Sequence, residues 1–121
     1  MAKVLIVDDS PAQVFTLKNL IENWGHETIT AESGDQAIEI ARQESPDVIL
    51  MDVVMPGMSG FQATRKLSKD IATCNIPVIF VSTKDGEADR VWGMRQGAAA
   101  YVTKPVNPDK LFTAITEAIA A

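Results

Sequence analysis

The sequence predicts an α/β fold: a single five-stranded parallel sheet, doubly wound, with five helices. Three observations predict it. Short apolar runs rich in Val and Ile recur along the chain without polar alternation, as in strands covered on both faces. Stretches with helical spacing separate the runs. Polar side chains follow each central run directly, and in such sheets ligands bind at the carboxyl ends of the strands.

The first run, VLIV at 4 to 7, leads into Asp8 and Asp9. Ser10 then caps a helix, and Pro11 sits at its first position, where a missing N–H costs nothing. Val14, Leu17, Leu20, Ile21 and Trp24 recur at helical spacing, and Gly25 stops the helix. His26 to Thr30 alternates polar and apolar residues, as an edge strand does. Ser33 to Gln36 reads Ser-x-x-Gln, as do Ser10 to Gln13 and Ser59 to Gln62, the capping-box pattern of a helix start.

Residues 48 to 51 form a central strand that ends on Asp52, and Pro56 with Gly57 makes the turn after it. Residues 78 to 81 form another central strand, ending on Ser82. Gly97 stops the following helix, and Ala99 to Thr103 is a short, mixed run suited to an edge before Lys104 and Pro105. Pro108 after Asn107 opens the last helix, with Leu111, Phe112, Ile115 and Ile119 on its apolar stripe. The expected strand order is 2-1-3-4-5, a flavodoxin-like topology with the mixed runs at the edges.

The 121 residues suit one domain with one core, expected to span 1 to 121 without an attached output domain. A net charge of −5 and a pI near 4.7 argue against a phosphate-backbone surface, so nucleic acid is not an expected partner. Cys74 is the only cysteine, which rules out an internal disulfide and a cysteine-cluster zinc site. The opening apolar run is far too short for a signal-peptide core or a membrane span. A cytoplasmic monomer without membrane insertion is the expectation.

Asp8, Asp9, Asp52, Ser82 and Lys104 would meet at one sheet edge. Crowded carboxylates repel unless a cation lies among them, so the sequence calls for a divalent metal. Mg²⁺ takes oxygen ligands and keeps waters, so one or two carboxylates and a carbonyl suffice. Asp9 and Asp52 are natural direct ligands, with Asp8 helping through water. A phosphoryl group on Asp52 would leave the pocket with a formal charge of about −4, reduced to about −1 by the metal and Lys104. Phosphoryl transfer needs positioning and charge neutralisation, which metal, Lys104 and the Ser82 hydroxyl supply. The bond before Pro105 is expected to be trans on general grounds.

VLIVDDS at 4 to 10, ILMDVVMPGMSGF at 49 to 61, PVIFVST at 77 to 83 and GAAAYVTKPV at 97 to 106 resemble the receiver domain of two-component response regulators. The resemblance covers the whole chain and is closest to single-domain, CheY-like chemotaxis regulators. VSTKD and VWGMRQGA are similar to their twitching-motility group. It implies that Asp52 accepts a phosphoryl group from a CheA-like histidine kinase. It also implies that Asp8, Asp9, Asp52 and the Val54 carbonyl hold Mg²⁺, with Mn²⁺ able to substitute, and that Lys104 contacts the phosphoryl group. Ser82 and Tyr101 would form a switch pair that remodels the last two helices and the strand between them, where a downstream motility protein binds. The resemblance further implies a cis bond between Lys104 and Pro105. It implies signalling in type IV pilus motility and a phosphoacceptor that assists its own phosphorylation and dephosphorylation, not an enzyme on outside substrates.

Three neighbours depart from or vary within that pattern. Thr83 stands where a small residue is usual and would narrow access to Asp52. Val54 offers no side-chain hydrogen bond to an attacking water, and Lys84 would either bind a phosphoryl oxygen or remain solvated. His26, the only histidine, lies at an edge with no acid or base beside it and reads as a surface or capping residue. Trp24 reads as core. Trp92 also reads as core, although Val91 already serves the inward face of its helix, with a partly exposed binding anchor as the alternative. Met51, Met55, Met58 and Met94 read as gap fillers.

Other functions fit less well. A phosphohydrolase with an Asp nucleophile would want a second acid two residues on, where Val54 stands. A flavin carrier would want a hydroxyl- and glycine-rich loop where Asp8 and Asp9 would repel the flavin phosphate. A non-phosphorylated interaction module leaves the complete acidic set unexplained, and a phosphate sink for a shared kinase remains an alternative to an effector.

Overall fold

In the computed structural model, which describes residues 1–120, strands and helices alternate from end to end. In order they are β1 (Lys3–Val7), α1 (Pro11–Asn23), β2 (Glu27–Ala31), α2 (Gly34–Glu44), β3 (Val48–Met51), α3 (Gly60–Lys69), β4 (Val78–Ser82), α4 (Glu87–Arg95), β5 (Ala100–Thr103) and α5 (Pro108–Ala120). All four strand pairings are parallel, in the order β2-β1-β3-β4-β5. The predicted fold class and strand order are therefore observed. β2 starts one residue later than the alternation predicted and includes Ala31.

The period of two along each strand builds two cores. Leu5, Val7, Ile49, Met51, Val78 and Phe80 face α2 and α3. Val4, Ile6, Val48, Leu50, Ile79, Val81 and Val102 face α1 and α5, where Leu17, Ile21, Leu111 and Ile115 meet them. Each fully buried Leu or Ile contributes roughly 1.5–3 kcal/mol relative to exposure. Phe112 and Ile119, expected on the inward stripe of α5, are exposed, and Trp24 is half-buried at the margin of this second core, edge-on to Phe112 at 5.1 Å, not inside it as its spacing suggested.

Helix starts follow the sequence signals with one qualification. Ser10, Ser33 and Ser59 each accept the N–H of the Gln three residues on. Only Ser59 completes a capping box, with Gln62 returning its oxygen to the Ser59 N–H at 3.0 Å, whereas Gln36 accepts from Glu32. Gly25 and Gly97 take positive φ at the ends of α1 and α4, where other side chains would be strained.

α4 packs differently from the other helices. Its only buried residue is Gly93, while Val91, Trp92 and Met94 are each close to half exposed, so the expected inward Val91, core Trp92 and gap-filling Met94 are not observed. Its first residue is preceded by Gly86, which supplies no side-chain cap. Its far end is tied down by Gln96, which donates to the Trp92 carbonyl and accepts from Arg65 of α3 at 2.9 Å. His26 accepts the Ala2 N–H on Nδ1, a structural tie at the sheet edge.

Candidate functional site

The carboxyl ends of β1, β3, β4 and β5 come to one edge because their register is nearly flush. Val7 pairs with Met51, Met51 with Phe80, and Ser82 with Thr103. Asp8, Asp52 and Lys104 are the next residues out. The Asp52 N–H bonds the Val7 carbonyl at 2.9 Å, and the Lys104 N–H bonds the Ser82 carbonyl at 2.8 Å, so the ladder carries on into the site.

Oxygen atoms of Asp8, Asp9 and Asp52 lie within 4.8 Å of one another. Asp8 is buried, Asp52 is nearly so, and Asp9 is exposed at the mouth. Asp8 Oδ2 accepts from Lys104 Nζ at 2.9 Å, and the same ammonium lies 3.7 Å from Asp52 Oδ1. Asp52 Oδ1 also accepts the Val53 N–H at 2.9 Å. Asp8 Oδ1 accepts the Ser10 N–H at 2.9 Å, so this acid also holds the turn into α1. The Lys104–Pro105 peptide is cis, against the general expectation for such bonds.

A glycine lets α3 approach this cluster. The Gly60 N–H bonds the Val53 carbonyl at 2.9 Å, and a Cβ at Gly60 would lie 2.0 Å from the Asp52 carbonyl oxygen. On the other side, the Ser82 hydroxyl is fully buried and accepts the Lys84 N–H at 3.1 Å. The Lys84 carbonyl accepts the Tyr101 hydroxyl at 2.6 Å. Ser82 and Tyr101 are thus linked through the main chain of Lys84, a contact no residue pattern could show. The side chains of Thr83, Lys84 and Val54 are exposed around the mouth, and among the described residues neither Thr83 nor Lys84 makes a side-chain hydrogen bond.

The sequence matches the response regulator receiver domain family over residues 4–116. The chain belongs to this family. It is 54% identical to the protein PilH of Pseudomonas aeruginosa over 120 residues, 99% of both chains. Among solved structures, the receiver domain of the Francisella response regulator 1452 is 29% identical with a TM-score of 0.91, covering 99% of this chain and 98% of that one. The chemotaxis protein CheY4 of Vibrio cholerae is 30% identical with a TM-score of 0.90, covering 98% of each. The PilH likeness supports the resemblance to a CheY-like single-domain regulator of the twitching-motility group.

Receiver domains are signalling phosphoacceptors that bind Mg²⁺ at an acidic pocket, and the electrostatics of this receiver domain fit such an ion. Burial pushes the Asp52 carboxyl above its ordinary value; Asp8 and Asp9 push the same way, while Lys104 and the Val53 N–H pull it down. Lys104 alone does not offset burial together with the two neighbouring carboxylates. An all-oxygen set of three carboxylates suits a hard divalent cation.

The sign of the Asp52 shift has a measurable consequence. A carboxyl whose folded value is raised contributes stability that is present below the ordinary carboxylate value and lost as pH rises through the raised one. In EDTA, Asp52→Asn should therefore melt above the wild type at neutral pH, and the difference should close below about pH 4. Mg²⁺ at ten times its Kd should then stabilise the wild type by about 1.4 kcal/mol and the variant less. Thermal melts across pH, with and without Mg²⁺, check this; an Asp52→Asn protein that melts below the wild type at pH 7 in EDTA would refute it.

Proposed function

We propose that Asp52 accepts a phosphoryl group from a histidine kinase and that this charge switches the protein's binding surface. The convergence of Asp8, Asp9 and Asp52 within 4.8 Å, with Lys104 Nζ between Asp8 and Asp52, carries this reading. In the transfer, an Asp52 oxygen forms a bond to phosphorus as the bond from phosphorus to the kinase imidazole nitrogen breaks, and the nitrogen keeps the electron pair. Lys104 neutralises the incoming oxygens, and the Val53 N–H orients the carboxylate. Ser82 has a hydroxyl proton free to donate, because its observed bond uses the oxygen as acceptor.

Asp8, Asp9, Asp52 and the Val54 carbonyl would hold Mg²⁺, or Mn²⁺ in its place. When bound, the ion supplies positive charge that offsets the phosphoryl oxygens. Val54, Thr83 and Lys84 flank the mouth and set the lifetime of the aspartyl phosphate. The likeness to PilH supports a role in type IV pilus motility, with a CheA-like kinase upstream and a motility protein docking on α4, β5 and α5.

Incubation with Mg²⁺ and a small-molecule phosphodonor, followed by intact mass measurement, tests the central claim. One added phosphoryl group that maps to Asp52 supports it. No added mass, or mass added elsewhere, removes it. A pull-down comparing the phosphorylated protein with Asp52→Asn then separates effector from sink, since an effector captures a partner only in the active form.

A further inference from the structure

We propose that Gly93 is a positioning residue: its missing side chain is the seat that holds the Tyr101 ring on α4 and thereby joins the Ser82 end of the site to the exposed surface. The proposal rests on the reading of Asp52 as phosphoacceptor, although the seat itself is a matter of packing.

A glycine inside a helix weakens it relative to alanine. Gly93 is that glycine in α4, and it is the helix's only buried residue. A Cβ there would lie 3.0 and 3.1 Å from Tyr101 Cδ2 and Cε2, and 3.2 Å from Phe80 Cδ2. Such spacings are too tight unless the ring moves, because packed interiors leave little room for one more carbon. The ring therefore sits against the position an alanine methyl would take and would have to give by a few tenths of an ångström to admit it.

Three other contacts fix the ring in that volume. Phe80 lies tilted beneath it at 5.9 Å, and the Arg90 guanidinium lies over it at 5.7 Å, inside cation–π range. The hydroxyl donates to the Lys84 carbonyl at 2.6 Å, while the Lys84 N–H donates to Ser82 Oγ. One peptide unit each side of Lys84 thus ties the tyrosine to a buried hydroxyl at the end of β4. Burial is the main reason the Tyr101 phenol is pushed above its ordinary value, while the Ser82 side chain and the Arg90 charge pull it the other way. A pull on Ser82 moves the Lys84 loop, and the ring can follow only while Gly93 keeps its seat open.

Tyr101 is the sole tyrosine, so 3-fluorotyrosine labelling of the full chain gives one ¹⁹F signal. In the resting wild type that signal should lie away from free fluorotyrosine, and beryllofluoride with Mg²⁺, a stable stand-in for the phosphoryl group, should shift it. Gly93→Ala should move the resting signal toward the free value and abolish the beryllofluoride shift, while the rate of phosphoryl uptake on Asp52 stays within about threefold. An unmoved resting signal would overturn the seat. A moved signal with a beryllofluoride shift of wild-type size would make Gly93 a packing residue only and would also overturn the proposal.

A thermal cycle guards against simple misfolding. Gly93→Ala should lower Tm in the presence of Tyr101 and raise it in a Tyr101→Ala background, where the helix preference for alanine is no longer opposed. Equal losses in both backgrounds would count against the seat. If the wild type takes no phosphoryl group while Gly93→Ala still displaces the ring, the proposed function fails and the seat stands.

Discussion

Asp52→Asn should reduce phosphoryl incorporation by a factor of about 10³ or more, because it removes the only oxygen nucleophile assigned to the transfer. Asn keeps the volume of the side chain and an oxygen to accept the Val53 N–H, so the fold and that hydrogen bond are retained. The amide carries no charge and cannot form the acyl phosphate. The pairing of Lys104 with Asp8 at 2.9 Å does not involve Asp52 and should persist. Loss of incorporation in a protein whose melting temperature is unchanged or raised in EDTA would therefore be a chemical effect. Time courses of intact mass with a small phosphodonor give the rate, and incorporation within tenfold of wild type would place the acceptor elsewhere.

Gly60→Ala should be among the most damaging single-carbon changes in the molecule. The added Cβ would sit 2.0 Å from the Asp52 carbonyl oxygen and 2.9 Å from its carbon, both main-chain atoms with no rotamer to escape through. Either α3 backs away from the end of β3 or Asp52 is displaced. The first loses the 2.9 Å bond between the Gly60 N–H and the Val53 carbonyl and disturbs the Ser59 capping box; the second moves the carboxylate off its neighbours. Overpacking of this kind costs about 2–4 kcal/mol. Urea unfolding should show that loss, and Mg²⁺ titration should show weaker binding in the protein that remains folded. A change below about 0.5 kcal/mol would mean that the α3 start is not seated on Asp52 as described.

The acidic cluster was legible in the sequence because strand period and parallel order place strand ends together whatever the packing details. Asp8, Asp52, Ser82 and Lys104 stand at the ends of strands whose register differs by only one or two residues. α4 was not legible in the same way. By sequence Val91 reads as inward, Trp92 as core and Met94 as a gap filler, whereas the helix packs through an absent side chain against an aromatic ring from β5. Hydrophobic periodicity reports where large apolar groups recur and is blind to a seat made of missing atoms. The part played by Lys84 was hidden for a related reason: its N–H and carbonyl make the connection while its side chain is exposed. The second bond of Asp8, to the Ser10 N–H, depends on a turn geometry that residue identities alone did not specify.

The uneven fastening of α4 determines how a small change would be displayed. Gln96 pins the far end to Arg65 of α3, whereas the end nearest the site starts at an uncapped Gly86. The nine-residue helix is a cantilever about 13 Å long, for which a displacement of about 1 Å at the free end is a tilt of about 4°. Such a tilt leaves the Gln96 anchor in place and swings Val91 and Trp92 through space as a unit. On the proposed reading, a partner docking on α4 would meet an apolar patch that is already exposed, and its heading would carry the change.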